Sequence, residues 1–228
     1  MIELRHVSRH FGTTAPLTQR VLRALGRDVP ETVVHAVENV SLGVRKGEVM
    51  GLVGESGCGK STLGRMAAGI LPPSAGQVLY KGRDLATLNK PEWHAARLAV
   101  QMIFQDPYAS LNPRLRVSEI VGEAPRVHKL IPPGGEAHYV DAQLRRAGLD
   151  PALKERYPHQ FSGGQRQRIS IARALAVQPE FLVCDEAVAA LDVSVQAQIL
   201  NLFMDLRAEL DLTLSLIHIS EPTRLALI

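Results

Sequence analysis

Apolar and polar positions alternate over residues 2–7 and 33–42, the pattern of strands with one covered face. The stretch between them, residues 13–30, is polar and has room for a short helix at 17–25. A turn at Lys46, Gly47 and Glu48 precedes an apolar run, 49–53, that predicts a buried strand. Residues 61–70 read as helix up to Pro72 and Pro73. Residues 78–80 and 98–104 read as strands, the second ending at Gln105, Asp106 and Pro107. Residues 108–160 are richer in helix signals, broken at Pro113, Pro125 and the run from Pro132 to Gly135. Ser162 opens a helix reaching about 177, and 181–184 is a further apolar strand. Val195, Ile199, Leu202, Leu206 and Leu210 recur at helical spacing on one face. Strands alternating with helices predict an α/β sheet with residues 108–160 as an inserted helical lobe.

Composition narrows the class. A length of 228 residues suits one medium domain, or one domain with a small inserted lobe. With 46% hydrophobic and 21% charged residues the chain is globular in character rather than disordered. Aromatic residues at 4% argue against a stacking platform for single-stranded nucleic acid. A net charge of +3, from 26 basic and 23 acidic residues, is too small and too scattered for a DNA-binding face. Cys58 and Cys184 cannot form a disulfide framework, so a reducing compartment is expected. No apolar run approaches the roughly 18 residues of a membrane span, and the first ten residues lack the apolar core of a signal peptide. Secreted, membrane-spanning and disulfide-stapled classes are therefore not expected.

The strongest chemical signal is Gly54, Glu55, Ser56, Gly57, Cys58, Gly59, Lys60 and Ser61, followed by Thr62. Glycine, four residues, then Gly-Lys-Ser is the spacing of a phosphate-binding loop, and here it follows an apolar strand and opens a helix. Glycines let backbone N–H groups converge on phosphate oxygens, and the helix adds the positive end of its dipole. In that arrangement Lys60 reaches the β- and γ-phosphates and the Ser61 hydroxyl binds Mg²⁺. A second signal is the strand 181–184 running into Asp185 and Glu186, which brings two carboxylates to the C-terminal edge of a sheet. Asp185 is expected to hold Mg²⁺ through water, and Glu186 to polarise the attacking water as general base. Acidic residues often end strands, so this reading leans on the phosphate loop. Third, Ser162, Gly163, Gly164 and Gln165 have the spacing of a capping box. Two glycines in a first turn cost helix stability, which makes sense where a group such as a phosphate must approach closely.

Together these pieces resemble the nucleotide-binding subunit of ATP-binding-cassette transporters. Ser162 to Gln165 are similar to the family signature and Gln105 to its glutamine loop. Ala190, Leu191 and Asp192 are similar to the loop after the carboxylates, and Phe11 sits where the family stacks an aromatic on adenine. Order and spacing agree over residues 1–213, with Lys60 standing 45 positions before Gln105 and 102 before Ser162. The resemblance implies a P-loop NTPase (RecA-like) sheet core with an N-terminal antiparallel β region and an α-helical subdomain at about 108–160. The cassette domain would cover 1–214. It implies ATP and Mg²⁺, catalytic roles for Lys60, Gln105 and Glu186, and metal contacts from Ser61, Gln105 and Asp185. Nucleotide contacts would come from Phe11, the loop 54–62, Ser162 to Gln165 and Asp192. Residues 101–114, the insertion before Val33 and residues 185–206 are similar to the dipeptide and oligopeptide importer branch. That branch implies a head-to-tail dimer with a second ATPase subunit, expected to be a different chain. The dimer would dock on permease subunits at the cytoplasmic face of a bacterial inner membrane, served indirectly by a solute-binding protein, with no nucleic-acid partner. Ala187 and Val188 depart from the Pro-Thr common after the carboxylates, but the side chains expected to do chemistry precede them.

The competing class is a soluble cassette ATPase acting on DNA or ribosomes. DNA-repair types carry a long coiled coil between phosphate loop and signature, whereas here about 100 residues intervene without sustained heptads. Ribosome-associated types carry two cassettes per chain, and here there is one. A non-catalytic nucleotide-binding regulator is a third reading, kept open by the tail. After residue 213 the family runs through one more strand into Ser-His-Asp, whose histidine contacts the γ-phosphate. Here His218 stands one position early and Ile219 follows it, and a one-residue slip turns a strand side chain to the other face. The segment LSLIHISEPTR is similar to a translated transposase-type sequencing adapter. Residues 215–228 are therefore expected to be foreign to the domain, and any strand over 212–219 to end near Pro222.

Overall fold

The computed structural model describes residues 1–12, 33–189 and 191–219, the last two by their backbone alone. The short helix expected at 17–25 lies outside them, as does Ala190. Strand β1 (Ile2–Gly12) runs antiparallel to β2 (Val33–Val44) on one side and to β4 (Ala75–Tyr80) on the other, with β5 (Arg83–Asp84) beyond β4. A second sheet is parallel: β3 (Val49–Gly54), β8 (Thr213–Ile219), β7 (Phe181–Asp185) and β6 (Val100–Ile103), in that spatial order. The helices are α1 (Lys60–Ala67), α2 (Lys90–Ala99), the single turn α3 (Pro107–Ser110), α4 (Val117–Val127), α5 (Glu136–Arg146), α6 (Gly163–Leu175) and α7 (Val193–Leu210).

Alternation along β7 shows how the layers join. Phe181 and Val183 enter a core shared with α1 and the antiparallel sheet, among Ile2, Leu4, Met66 and Val78. Leu182 and Cys184 enter the opposite core, with Val121, Ile169, Ile199 and Phe203 from the helices. Both faces of β7 are thus covered, as a central parallel strand requires, and all five of its residues are buried. The apolar stripe expected on α7 holds: Ile199 and Leu206 are buried, and Val195, Leu202 and Leu210 pack against the same cluster. Phe203 joins them.

Four local expectations change. The run 49–53 forms β3, which is not buried: among the described residues it is the outermost strand of the parallel sheet, and Val53 is 62% exposed. An apolar composition alone does not distinguish a central strand from an edge strand. Helix α1 stops at Ala67 rather than running to 70, because Gly69 takes a left-handed φ of 65° and Ile70 N–H donates to the Arg65 carbonyl at 2.9 Å. Residues 98 and 99 belong to α2, which an Asn89–Glu92 capping box starts, so the strand expected from 98 begins at Val100. Pro125 does not break the chain either. It lies inside α4, giving up its own N–H bond, and the helix continues past it: His128 N–H still donates to the Ala124 carbonyl at 3.0 Å.

Candidate functional site

Parallel register brings the chemistry to one edge. β6 and β7 pair Ile103 with Cys184, so two residues further along each chain stand Gln105 and Glu186. The Gln105 Nε2 donates to Glu186 Oε2 at 2.5 Å. β8 separates β7 from β3, whose last residue, Gly54, opens the glycine loop at the same C-terminal edge. From that loop α1 runs back over the sheet, and the Ser61 hydroxyl donates to Asp185 Oδ1 at 2.7 Å. Asp185 and Glu186 are buried. Glu186 adopts a left-handed φ of 48°, held by its N–H donating to the Ile217 carbonyl at 3.1 Å. Such strain in a non-glycine residue costs on the order of 1–3 kcal/mol and turns the chain sharply after Asp185.

The loop itself is shaped by backbone. Gly57 and Gly59 have φ of 80° and 93°. A Cβ at Gly59 would lie 2.1 Å from the Ala36 carbonyl oxygen of β2, so only glycine fits there. Gly59 is also the N-cap of α1 and supplies no side-chain acceptor, which leaves the first N–H groups of the helix for another partner. Lys60 is buried, and its Nζ donates to the carbonyls of Gly54 at 2.7 Å and Glu55 at 2.6 Å, with Cys58 Sγ at 3.8 Å. Glu55, Ser56 and Gly57 are exposed beside it, and Thr62 follows Ser61 in the first turn of α1. These groups fit a phosphate: open N–H donors at a helix start and one cation beside them. Ser61 and Asp185 are hard oxygen donors that fit Mg²⁺, a cation that also keeps part of its own water. Gln105, with its amide nitrogen committed to Glu186, has its side-chain oxygen to offer as a third.

A cleft of 450 Å³ lies next to these groups, lined by Arg65, Gln105, Asp106, Ser110, Arg173 and Asp185. Arg173 was no part of the sequence reading. Its Nη1 donates to the Ser110 carbonyl at 2.5 Å, and burial pulls its pKa below the ordinary value. A single arginine inside a helix carries no local signal of this kind. Cys184, one residue before the carboxylates, is fully enclosed, and burial pushes its thiol far up, so it stays protonated.

Among the described residues, the remaining expected residues make no hydrogen bond to these groups. Ser162 caps α6 in a complete capping box: Gln165 N–H donates to its Oγ at 3.3 Å and Ser162 N–H to Gln165 Oε1 at 3.0 Å. Of the two glycines, Gly164 has a packing reason inside the chain and Gly163 does not. A Cβ at Gly164 would stand 2.7 Å from Val195 Cγ1 of α7, and one at Gly163 would meet Leu191 Cδ2 at 3.5 Å. Ser162 and Gly163 remain exposed. Asp192 is the exposed N-cap of α7, and its side chain makes no capping bond. Phe11, 39% exposed, pairs with Val34 across β1 and β2, with the Arg9 guanidinium 4.9 Å from its ring centre. Two residues on from Val34 is Ala36, whose carbonyl walls the loop at Gly59, so Phe11 belongs to the same side of the molecule.

Among the described residues, no helix is long and apolar enough to cross a membrane. The pattern shared by the family described as "ABC transporter" matches residues 37–189. The chain is 45% identical over 214 residues to the oligopeptide transport ATP-binding protein AppF of Bacillus subtilis, covering 93% of this chain and 62% of that one. It is 47% identical over 186 residues to the oligopeptide transport ATP-binding protein OppF of Escherichia coli, covering 81% of this chain and 56% of that one. The chain thus spans between half and two thirds of the length of these relatives. Among solved structures, a dimeric ATP-binding cassette in a post-hydrolysis state bound to ADP and Pi superposes with a TM-score of 0.77 at 27% identity, covering 95% of this chain and 87% of that one.

Proposed function

Because the chain belongs to the ABC transporter family, we propose that it is the ATP-binding and ATP-hydrolysing subunit of an importer for dipeptides, oligopeptides or similar solutes. The observation that carries the reading is the pairing of Ser61 with Asp185 and of Gln105 with Glu186 at the sheet edge where the glycine loop opens. In this reading the loop's N–H groups and the start of α1 hold the phosphates. Lys60 exchanges its two carbonyl partners for β- and γ-phosphate oxygens, a change from neutral to charged acceptors that strengthens each hydrogen bond. Mg²⁺, held by Ser61, Gln105 and, through water, Asp185, would offset negative charge on the phosphates. Glu186 takes the proton of the attacking water, and the Gln105 amide fixes the carboxylate's direction.

The names of AppF and OppF support an oligopeptide-transport role, and neither supports work on DNA or ribosomes. The likeness to a dimeric cassette supports a head-to-tail dimer with a second ATPase subunit. There the exposed Ser162 of one subunit would face the nucleotide held by Lys60 of the other, and Phe11 and Asp192 would border it. The dimer would sit on permease subunits at the cytoplasmic face of the membrane, fed by a solute-binding protein, and closure would couple ATP binding to the permease.

The test is Glu186→Gln, made in a protein whose segment after 214 is supplied by a close relative. It should keep Mg-ATP binding and lose about 10²–10⁴-fold in phosphate release, because the amide keeps the shape and removes the base. Size-exclusion chromatography with ATP should show the variant accumulating as a dimer. Phosphate release at the parent rate would remove Glu186 from the role.

A further inference from the structure

The hairpin of β1 and β2 holds a second cluster of ligating atoms, unconnected with the two carboxylates. His10 and His35 stand opposite each other in the register of the two strands. Their ring centres are 4.3 Å apart. Glu38 turns one oxygen, Oε2, onto both rings, at 2.7 Å from His10 Nε2 and 3.1 Å from His35 Nδ1. The three ligand atoms lie within 4.8 Å of one another. Two donors on one tetrahedral zinc ion, each about 2.0–2.1 Å from the metal, stand about 3.3 Å apart. Small shifts of these side chains, His10 half-buried and His35 and Glu38 exposed, would therefore admit an ion between them.

This convergence is not what a regular strand produces. Residues three apart on a strand point to opposite faces, so His35 and Glu38 should diverge. Register shifts between Val7 and Arg9 and between Arg9 and His10, with a left-handed φ of 49° at Asn39, break that alternation. The bulged backbone is tied down by side chains: Asn39 N–H donates to Ser8 Oγ at 2.9 Å, and His10 N–H to Ser74 Oγ at 3.1 Å. Ser8 Oγ in turn donates to the other carboxylate oxygen, Glu38 Oε1, at 3.3 Å. A ligating carboxylate held from behind by a hydroxyl is the kind of support metal sites use.

We propose that His10, His35 and Glu38 bind one divalent ion of the zinc type, with the remaining coordination position open to water. Two imidazoles and one carboxylate suit Zn²⁺ and Co²⁺, whereas Mg²⁺ and Ca²⁺ favour all-oxygen sets. Each ring would bind as the neutral tautomer, through Nε2 of His10 and Nδ1 of His35, with its proton on the other nitrogen. The ion would cross-link β1 to β2 next to Phe11, and by binding only the folded chain it would stabilise it.

The test uses the untagged 228-residue protein without nucleotide or Mg²⁺. Calorimetric titration with Zn²⁺ and the visible absorption of added Co²⁺ are compared in wild type, His35→Ala and Glu38→Gln, with circular dichroism to establish that each is folded. The expected result is Zn²⁺ uptake and a tetrahedral Co²⁺ spectrum in the wild type. Affinity should fall about tenfold or more in each variant, and the Co²⁺ spectrum should vanish in His35→Ala. Equal Zn²⁺ affinity in all three proteins, or no uptake by the wild type, would overturn the site.

Discussion

Lys60 brings a positive charge into a position only 6% exposed, and the oxygens it meets there are the neutral carbonyls of Gly54 and Glu55. Neutral acceptors satisfy the ammonium's hydrogens without balancing its charge, which is costly to bury. A phosphate would supply that balance. Lys60→Ala should therefore weaken ATP binding by roughly 1.5–3 kcal/mol, about 10- to 150-fold in Kd, as read by calorimetry. Unchanged affinity would mean that the loop does not hold the phosphates through this side chain. The neighbouring Gly59 shows a different constraint at the same scale. Its side of the loop is walled by a backbone carbonyl, which cannot move aside as a side chain would.

Helices α6 and α7 meet where the signature-like residues begin. Gly163 and Gly164 were expected to leave room for an approaching phosphate. At Gly164 the room is taken by Val195 of α7, 2.7 Å from where a Cβ would be built. Helix propensity alone favours alanine there by up to about 1 kcal/mol, so any net loss reports the collision. Gly164→Ala should lower stability by about 1–3 kcal/mol in chemical denaturation, and Val195→Ala in the same chain should recover part of it. A single variant as stable as the parent would show that packing does not require the glycine. The glycine at 163, where Leu191 is in ordinary contact at 3.5 Å, is left as the one that exposure to a facing subunit would explain.

At the scale of the whole molecule, the segment after 214 is the point of interest. Residues 215–219, expected to be foreign to the domain, complete β8 between β3 and β7, and Ile217 is buried against Gly64 and Val183. A β-competent apolar sequence satisfies the backbone of its neighbours whatever its origin. Function is more exacting. The residue whose backbone pairs with Gly54 is Ile219, whereas the family resemblance places a histidine there. On the far side, Val53, Leu200, Phe203 and Leu216 line an apolar cleft of 310 Å³. We propose that 1–214 is the cassette domain and that 215–228 does not belong to it. Replacing 215–228 by the corresponding part of a close relative should then raise both ATP turnover and the denaturation midpoint. Equal activity and stability in the two proteins would make the present segment a genuine part of the enzyme.

What the sequence determined was local. The glycine loop, its lysine, the cap at Ser162, the stripe on α7 and the apolar strand ending in two carboxylates all express spacing over a few residues, where backbone geometry leaves few options. The same locality explains the misreadings: the edge position of β3, the early stop of α1 at Gly69 and the toleration of Pro125 depend on neighbours that a window of sequence does not contain. Contacts between distant positions were decided by tertiary structure. Ser61 reaches Asp185 across 124 positions and Gln105 reaches Glu186 across 81, because parallel strands in one register end at one edge. The Ala36 carbonyl against Gly59, Val195 against Gly164 and the convergence of His10, His35 and Glu38 have no counterpart in spacing. They arise from strand order and from bulges, which redirect side chains without changing any residue's identity.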